Sequence, residues 1–124
     1  MQPLIIEATS DTPKIYLDAE KGYFEIANLS LPEDAIEFYK PVIKWIKDYF
    51  EKPNESTVFN FKLEYFNTAS SKQIVQILLL LEKLSKIHKI LIRWHYKDID
   101  EDMQDLGEEY ADIIDIDFEL VEYK

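Results

Sequence analysis

The chain contains no cysteine and only two glycines, Gly22 and Gly107, and these shortages exclude several classes of function. Without cysteine there is no disulfide framework and no thiolate zinc site. Two glycines are too few for the loops that cradle phosphates in P-loop and dinucleotide-binding proteins. No Gly-x-Ser-x-Gly motif marks a serine nucleophile. We therefore expect no cofactor.

Long apolar runs are also missing. The longest covers residues 77–81, far short of the roughly 20 residues that cross a bilayer. The first residues lack the basic start and the cleavage site of a signal peptide. Zero cysteine favours a reducing compartment. These features predict a cytoplasmic protein that does not insert into membranes.

Basic residues are scarce: 14 Lys and Arg stand against 25 Asp and Glu, a net charge of -11. Nucleic acid and anionic lipid repel such a molecule. The imbalance is concentrated in residues 98–122, which hold twelve acids and no Lys or Arg. This acidic stretch is either a solvated face that aids solubility or a docking face for a basic partner surface, and both interpretations stay open.

What the chain has is enough apolar material for one domain. Its 124 residues are 47% hydrophobic and 14% aromatic, which argues against disorder. A domain of this length buries roughly two-thirds of the surface of its unfolded chain. We expect one folded domain over residues 1–124, monomeric when free and independent of metal.

The N-terminal part predicts two strands and a long helix. Residues 15–17 and 23–26 favour a hairpin around Gly22, with a short edge strand at 4–6. Ser30 and Glu33 have capping-box spacing, with Pro32 between them. A helix is predicted from there to about Phe50, with a kink or register change at Pro41.

The rest of the chain alternates between strand and helix patterns. Period-two and helical spacing predict, in order, a strand over 57–66, a helix with apolar positions from Ile74 to Ile87, a strand over 89–95, a weaker helix over 100–110 and a strand over 117–121. With right-handed crossovers, this order predicts an α/β domain: a mixed, mostly parallel sheet with an N-terminal hairpin and helices packed on it. The arrangement is similar to STAS domains.

One acidic cluster resembles a calcium site. Asp98, Asp100, Asp102 and Glu109 have EF-hand spacing, but Met103 occupies the position where that loop needs glycine. We therefore expect an acidic solvated face and no metal site.

His95 is the candidate for acid–base chemistry, with acids such as Glu64 nearby. A histidine inside a strand more often makes an ordinary hydrogen bond. We expect that second role, no catalytic residue and a protein that is not an enzyme.

The most informative segment joins the strand over 57–66 to the next helix. In open α/β sheets, sites form at the carboxyl ends of strands. Thr68, Ser70 and Ser71 crowd this loop, and Ser70 with Gln73 has capping-box spacing. One hydroxyl is expected to cap the helix. Another is suited to accept a phosphoryl group, which free helix N–H groups and the helix dipole would favour.

The same residues resemble the SiaC family of bacterial regulatory phosphoproteins, which have a STAS-like fold. The resemblance lies in residues 5–9, 12–13, 32–42, 61–72, 94–96 and 100–103. The run Leu-Glu-Tyr-Phe-Asn-Thr at 63–68 is its most specific part, while Ala69 stands where a serine is common.

The resemblance implies a non-enzymatic switch. Thr68 would be phosphorylated by a partner protein kinase and dephosphorylated by a PPM-type phosphatase. The unphosphorylated form would bind and activate a diguanylate cyclase, raising cyclic di-GMP and favouring biofilm formation. Candidate partner-binding residues are Asn67, Ser70, Ser71, Lys62 and Glu64.

Three alternatives remain. The switch could act as a STAS-type anti-sigma-factor antagonist, the phosphate could lie on a serine beside Thr68, or Thr68 could only cap the helix.

Overall fold

Three helices and a single six-stranded sheet make up the fold in a computed structural model that describes residues 1–124. In chain order the elements are β1 (Leu4–Ile6), β2 (Lys14–Asp18), β3 (Tyr23–Ser30), α1 (Ala35–Tyr49), β4 (Thr57–Phe66), α2 (Thr68–Leu84), β5 (Ile90–Lys97), α3 (Glu101–Ile113) and β6 (Asp117–Tyr123). β1, β2 and β3 pair antiparallel, and β3 to β6 pair parallel. The predicted mixed sheet with an N-terminal hairpin is confirmed.

The spatial order of the strands is the same as their order along the chain. Each helix therefore connects neighbouring parallel strands, and each connection steps in the same direction across the sheet. Because such crossovers are right-handed, all three helices lie on one face. β5 shows the result: Ile92 and Trp94 are buried beneath helices, whereas Arg93 between them is exposed. We call the other side of the sheet the helix-free face.

The hydrophobic core fills the space between the sheet and the helices. It contains 24 buried residues, many of them aromatic. Trp45 and Tyr49 of α1 stack with their ring centroids 5.4 Å apart, and Phe24 of β3 lies 4.9 Å from Tyr49. Each fully buried large side chain stabilises the fold by roughly 1.5–3 kcal/mol. The core thus holds α1 and α2 rigidly against one face of the sheet.

The predicted start of α1 was wrong. Asp34 caps the helix and accepts a 3.1 Å hydrogen bond from the N–H of Glu37. Ser30 instead ends β3, where it pairs with Phe66 of β4 and is fully buried. Strand pairing thus overrode the local capping-box pattern. Pro41 lies on the exposed side of α1, and the helix continues past it to Tyr49.

The C-terminal elements agree with the predictions in kind but differ at their ends. α2 stops at Leu84, so Ile87 lies beyond the helix and is 78% exposed instead of joining the apolar stripe. β5, α3 and β6 each run two or three residues further than the patterns indicated. None of the helices has both the length and the apolar character that crossing a membrane requires.

Candidate functional site

A β-bulge reshapes the end of β4 just before the chain enters α2. Asn28 of β3 pairs with Leu63, but Leu29 pairs with Tyr65, so Glu64 is an extra residue on β4. Asn28 has a φ of 74°, a left-handed conformation that Asn tolerates better than most residues. The bulge reverses the alternation of side chains on β4. Tyr65, which the period-two pattern placed with Phe61 and Leu63, is therefore 59% exposed.

Asn67 is the N-cap of α2. Its side-chain oxygen accepts a 2.9 Å hydrogen bond from the N–H of Ser70. The prediction that a hydroxyl caps this helix, through a box of Ser70 and Gln73, was wrong. Asn caps helices as well as Ser does, so the residue type immediately before the helix was a usable signal. All three hydroxyls are thereby released from capping.

Thr68 is the first residue of α2, and it is exposed. First-turn N–H groups have no acceptor within the helix; Asn67 takes those of Ser70 and Ser71, which leaves those of Thr68 and Ala69. The first turn carries no acid, and Lys72 lies exposed one turn later. A phosphate on Thr68 would therefore meet free N–H groups, the positive end of the helix dipole and no carboxylate from the first turn of α2.

Ser70 points the opposite way, into the core. Its hydroxyl accepts a 2.9 Å hydrogen bond from Ser30, whose hydroxyl lies 2.6 Å from that of Tyr39. All three residues are fully buried. Burial raises the pKa of Tyr39 to about 12, so its phenol stays protonated and available as a donor. This buried triad of Ser30, Tyr39 and Ser70 ties β3, α1 and α2 together beneath Thr68.

The triad corrects one candidate and adds two. Ser70 lies wholly inside the protein, so its hydroxyl is not available to a kinase or a partner surface. Ser71 is half-buried and Asn67 is occupied as a cap. Ser30 and Tyr39 were missed as site residues because their contacts with Ser70 span elements that are far apart in the sequence.

Exposed apolar side chains accompany Thr68 at the carboxyl edge of the sheet. Ile36 lies in the first turn of α1, Tyr65 is the last residue but one of β4, and Ile99 precedes α3. Their side chains are 70%, 59% and 85% exposed, in that order. A shallow hollow of about 190 Å³ opens between Tyr65 and Met103. Exposed apolar groups clustered at one edge are typical of a protein interaction surface.

Lys62 and Glu64 lie on the helix-free face, away from the buried triad. The carboxylate of Glu25, almost fully buried, lies 3.3 Å from Lys14 and 3.8 Å from Lys62. Glu64 pairs with Lys97 at 3.3 Å. The polar side of β4 follows from the missing helices on this face, so it does not by itself indicate a binding site.

His95 also lies on the helix-free face and makes the ordinary hydrogen bond that was predicted. The amide nitrogen of Asn60 donates to the carbonyl of Phe24, so its oxygen accepts from Nε2 of His95 at 2.9 Å. Burial, together with Lys62 and Arg93, lowers the pKa of His95 below 6.5. The ring is therefore neutral at pH 7 and carries its proton on Nε2.

The acidic stretch surrounds α3. Asp100 caps that helix by accepting a 3.0 Å hydrogen bond from the N–H of Met103, and Glu101 and Asp102 lie in its first turn. Carboxylates at a helix N-terminus are favoured by its dipole. Capping and the helix dipole thus account for Asp100, Glu101 and Asp102 without a metal. No group of three or more His, Cys, Asp or Glu side chains is arranged to hold a metal ion.

Comparisons with known proteins point to one family. The model of the SiaC family of regulatory phosphoproteins matches residues 6–123. An uncharacterized protein of Pseudomonas aeruginosa strain UCBPP-PA14 is 31% identical over 113 residues, which cover 90% of each chain. The structure of SiaC from Pseudomonas aeruginosa matches with a TM-score of 0.89 and 27% identity, covering 99% of this chain and 100% of that one.

A further match bears on what such proteins bind. It is a chain of the crystal structure of the diguanylate cyclase SiaD in complex with its activator SiaC, also from Pseudomonas aeruginosa. The TM-score is 0.91 at 29% identity, and the match covers 97% of this chain and 99% of that one.

Proposed function

Because this chain belongs to the SiaC family of regulatory phosphoproteins, we propose that it is a threonine-phosphorylation switch that binds and activates a diguanylate cyclase while Thr68 is unmodified. A protein kinase and a PPM-type phosphatase set the state of Thr68. The protein itself catalyses nothing; through the cyclase it controls cyclic di-GMP and biofilm formation. The SiaC of Pseudomonas aeruginosa, an activator found in complex with the cyclase SiaD, supports the choice of partner.

One observation carries the proposal: of the three hydroxyls in the loop, that of Thr68 combines exposure with freedom from a structural task. Asn67 caps α2 and Ser70 is buried in the triad, so neither the helix nor the core needs Thr68. A kinase can reach its hydroxyl without unfolding the domain. The phosphate adds about -1.5 to -2 charge. At an exposed helix N-terminus that charge is favoured by about 0.3 to 1 kcal/mol.

Phosphorylation would therefore change the surface and leave the fold intact. The exposed apolar residues Ile36, Tyr65 and Ile99 give a partner something to bury at the same edge. When a partner covers that edge, the free energy needed to desolvate a neutral Thr68 is small, whereas the free energy needed to desolvate a phosphate is large. Losing one central contact costs about 2 kcal/mol or more, and 1.4 kcal/mol is about tenfold in affinity. A single phosphate is enough for a switch.

The test begins with affinity capture from native lysate by the Thr68→Ala protein, with mass spectrometry to identify the partner. Titration calorimetry then compares wild type, Thr68→Ala and enzymatically phosphorylated protein against the purified full-length cyclase. We expect Thr68→Ala to bind and activate like the unmodified protein, and phosphorylation to weaken binding at least tenfold. The matched control, Ser71→Ala, should still be phosphorylated and still switch.

Three results would count against the proposal or its choice of residue. Equal affinity for phosphorylated and unmodified protein would remove the switch. Capture of an anti-sigma kinase together with no diguanylate cyclase would favour the anti-sigma-factor antagonist instead. Labelling that persists in Thr68→Ala would move the phosphosite to Ser71, because Ser70 is inaccessible.

A further inference from the structure

β6 is an edge strand whose outer side is uncovered. It is the last strand of the sheet, it pairs with β5 without a register shift, and none of its seven residues is buried. Asp98, which follows β5, donates a 2.7 Å hydrogen bond from its N–H to the carbonyl of Tyr123. Because the backbone groups of successive strand residues point to opposite edges, those of Phe118, Leu120 and Glu122 face outward. They form a row of unpaired groups to which another strand can be added.

The two edges of the sheet are protected to different degrees. β1 is only three residues long and follows Pro3, and both features discourage the addition of a strand. β6 has seven residues, no proline and no bulge. Lysine, the residue that most often guards such an edge, is also absent from β6. β6 is therefore the edge that is suited to accept a strand.

The charge around β6 specifies what kind of strand it can accept. Asp117, Glu119 and Glu122 are exposed on β6 itself, and the other acids of the acidic stretch lie on the neighbouring α3 and its flanking loops. Within the whole stretch only Asp115 and Glu119 form ion pairs, with Lys86 and Arg93. The remaining carboxylates have no cation of this chain to neutralise them. They favour an incoming segment that carries Lys or Arg.

A second copy of this chain does not supply such a segment. Two β6 strands paired edge to edge would bring carboxylates against carboxylates, and like charges across a strand pair are destabilising. β1, the strand at the other edge, offers only the uncharged residues Leu4, Ile5 and Ile6. The complementary strand therefore belongs to a different protein.

We propose that β6 accepts an extended, basic segment of another protein as a seventh strand of the sheet. The main chain of that segment bonds to the outward N–H and C=O groups of Phe118, Leu120 and Glu122. Its Lys or Arg side chains, at alternate positions, lie beside Asp117 and Glu119, which point to the same face of the sheet. The acidic stretch is then a docking face, and the main chain of β6 fixes the register of the partner on it.

The experiment uses a synthetic peptide of eight alternating lysines and valines, blocked at both ends, as the probe. A control peptide has the same side chains but an N-methyl group on every backbone amide, so it keeps the charge and cannot donate to β6. Each peptide is added to the isotope-labelled full chain. Hydrogen–deuterium exchange of the individual backbone amides is followed by NMR, because a purely electrostatic contact would not protect the amides of one strand edge.

Two variants of the protein separate main-chain pairing from charge. Glu122→Pro removes one outward N–H and leaves the ladder to β5 intact, because that N–H does not face β5. Glu122→Gln is the matched control, since it loses the same charge at the same exposed position and keeps the N–H. Thermal unfolding confirms that both variants are folded, and calorimetry gives their affinities for the unmethylated peptide.

We expect the unmethylated peptide to slow the exchange of the Leu120 and Glu122 amides by about tenfold or more. The amides of Glu119 and Val121 already face β5 and should change by less than about twofold. The methylated peptide should protect none of them. Glu122→Pro should bind the unmethylated peptide about fivefold or more weakly than Glu122→Gln does.

Several outcomes would overturn strand addition at β6. No binding, binding that leaves the Leu120 and Glu122 amides unprotected, or equal affinities of the two variants would leave the acidic stretch as a solvated face. Dimers of the free protein that bury the same amides would assign the edge to a second copy. If Glu122→Pro does not fold, amide exchange in the unmodified chain decides by itself.

Discussion

At the scale of single residues, Asn67 and Thr68 are neighbours with separate roles. Asn67 caps α2, whereas the side chain of Thr68 points to solvent. We predict that Asn67→Ala lowers the free energy of unfolding by about 1 kcal/mol, the usual loss for an N-cap. Thr68→Ala should change it by no more than about 0.5 kcal/mol, as at other exposed positions. Urea unfolding of the two variants measures both. A larger loss in Thr68→Ala would return Thr68 to a capping role.

Tyr39 of the buried triad should make the stability of the protein depend on pH in the alkaline range. Burial raises its pKa from the ordinary 10.0 to about 12. A group with a raised folded pKa stabilises fully below its unfolded pKa and loses that contribution as pH rises through the folded one. We therefore expect a loss of about 2 to 3 kcal/mol between pH 10 and 12, since each pKa unit corresponds to about 1.4 kcal/mol.

Tyr39→Phe isolates this contribution from the other tyrosines. At pH 7 the variant should be about 1 kcal/mol less stable, because it loses the bond to Ser30. Above pH 10 its free energy of unfolding should fall less steeply than that of wild type. Chemical denaturation at a series of pH values gives both slopes. Parallel slopes would show that Tyr39 titrates normally in the folded protein.

At the scale of elements, the packing of α3 depends on the absence of a side chain at Gly107. A Cβ there would lie 2.6 Å from Cδ2 of Leu120 and 2.8 Å from Nε1 of Trp94. The Trp94 ring has little freedom to retreat, because Nε1 donates a 3.1 Å hydrogen bond to the carbonyl of Met103. The glycine therefore lets the helix approach β5 and β6 closely.

We predict that Gly107→Ala destabilises the protein by about 1–2 kcal/mol. Alanine would gain about 1 kcal/mol of helix propensity, but overpacking costs about 1–3 kcal/mol, and the Trp94 ring, held by its hydrogen bond to Met103, places this site at the upper end. Glu108→Ala, at the exposed next position, is the matched control and should change stability by less than about 0.5 kcal/mol. Equilibrium urea unfolding decides; stabilisation by Gly107→Ala would mean that α3 can shift outward.

At the scale of the whole molecule, charge is segregated. Lys40, Lys44 and Lys47 lie together on the outer side of α1, while the acidic stretch covers α3 and β6. Most ion pairs of the fold are solvent-exposed, and exposed pairs contribute little to stability. Repulsion among the excess acids, at a net charge of -11, should dominate the salt response.

We therefore predict that raising NaCl from about 0.01 M to about 0.15 M, which shortens the screening length from about 30 Å to about 8 Å, raises the midpoint of thermal unfolding by a few degrees. EDTA should leave the midpoint unchanged. Differential scanning calorimetry measures both effects. A midpoint that falls with salt would show that attractive pairs, such as Glu25 with Lys14, outweigh the repulsion.

Much of this architecture was readable in the sequence. β4 begins and ends where its period-two pattern does, and the three helices occur where apolar spacing placed them. Thr68 was predicted to be the phosphosite from the family resemblance, and it stays a prediction for a side chain that the structure leaves exposed. Two of the predictions that failed concern helix starts. At Ser30 and Ser70 the residue types suited capping, but both side chains were drawn into the core.

The sequence by itself determined the order of elements, because periodicity, breakers and turn residues act within about ten neighbouring residues. The tertiary structure decided which hydroxyl is free and which face of the sheet is uncovered. Ser30 and Ser70 stand forty positions apart and meet only after β3 and β4 pair. The uncovered face exists because the strands follow one another in order and each crossover is right-handed. Such properties depend on contacts between distant segments, which no local pattern contains.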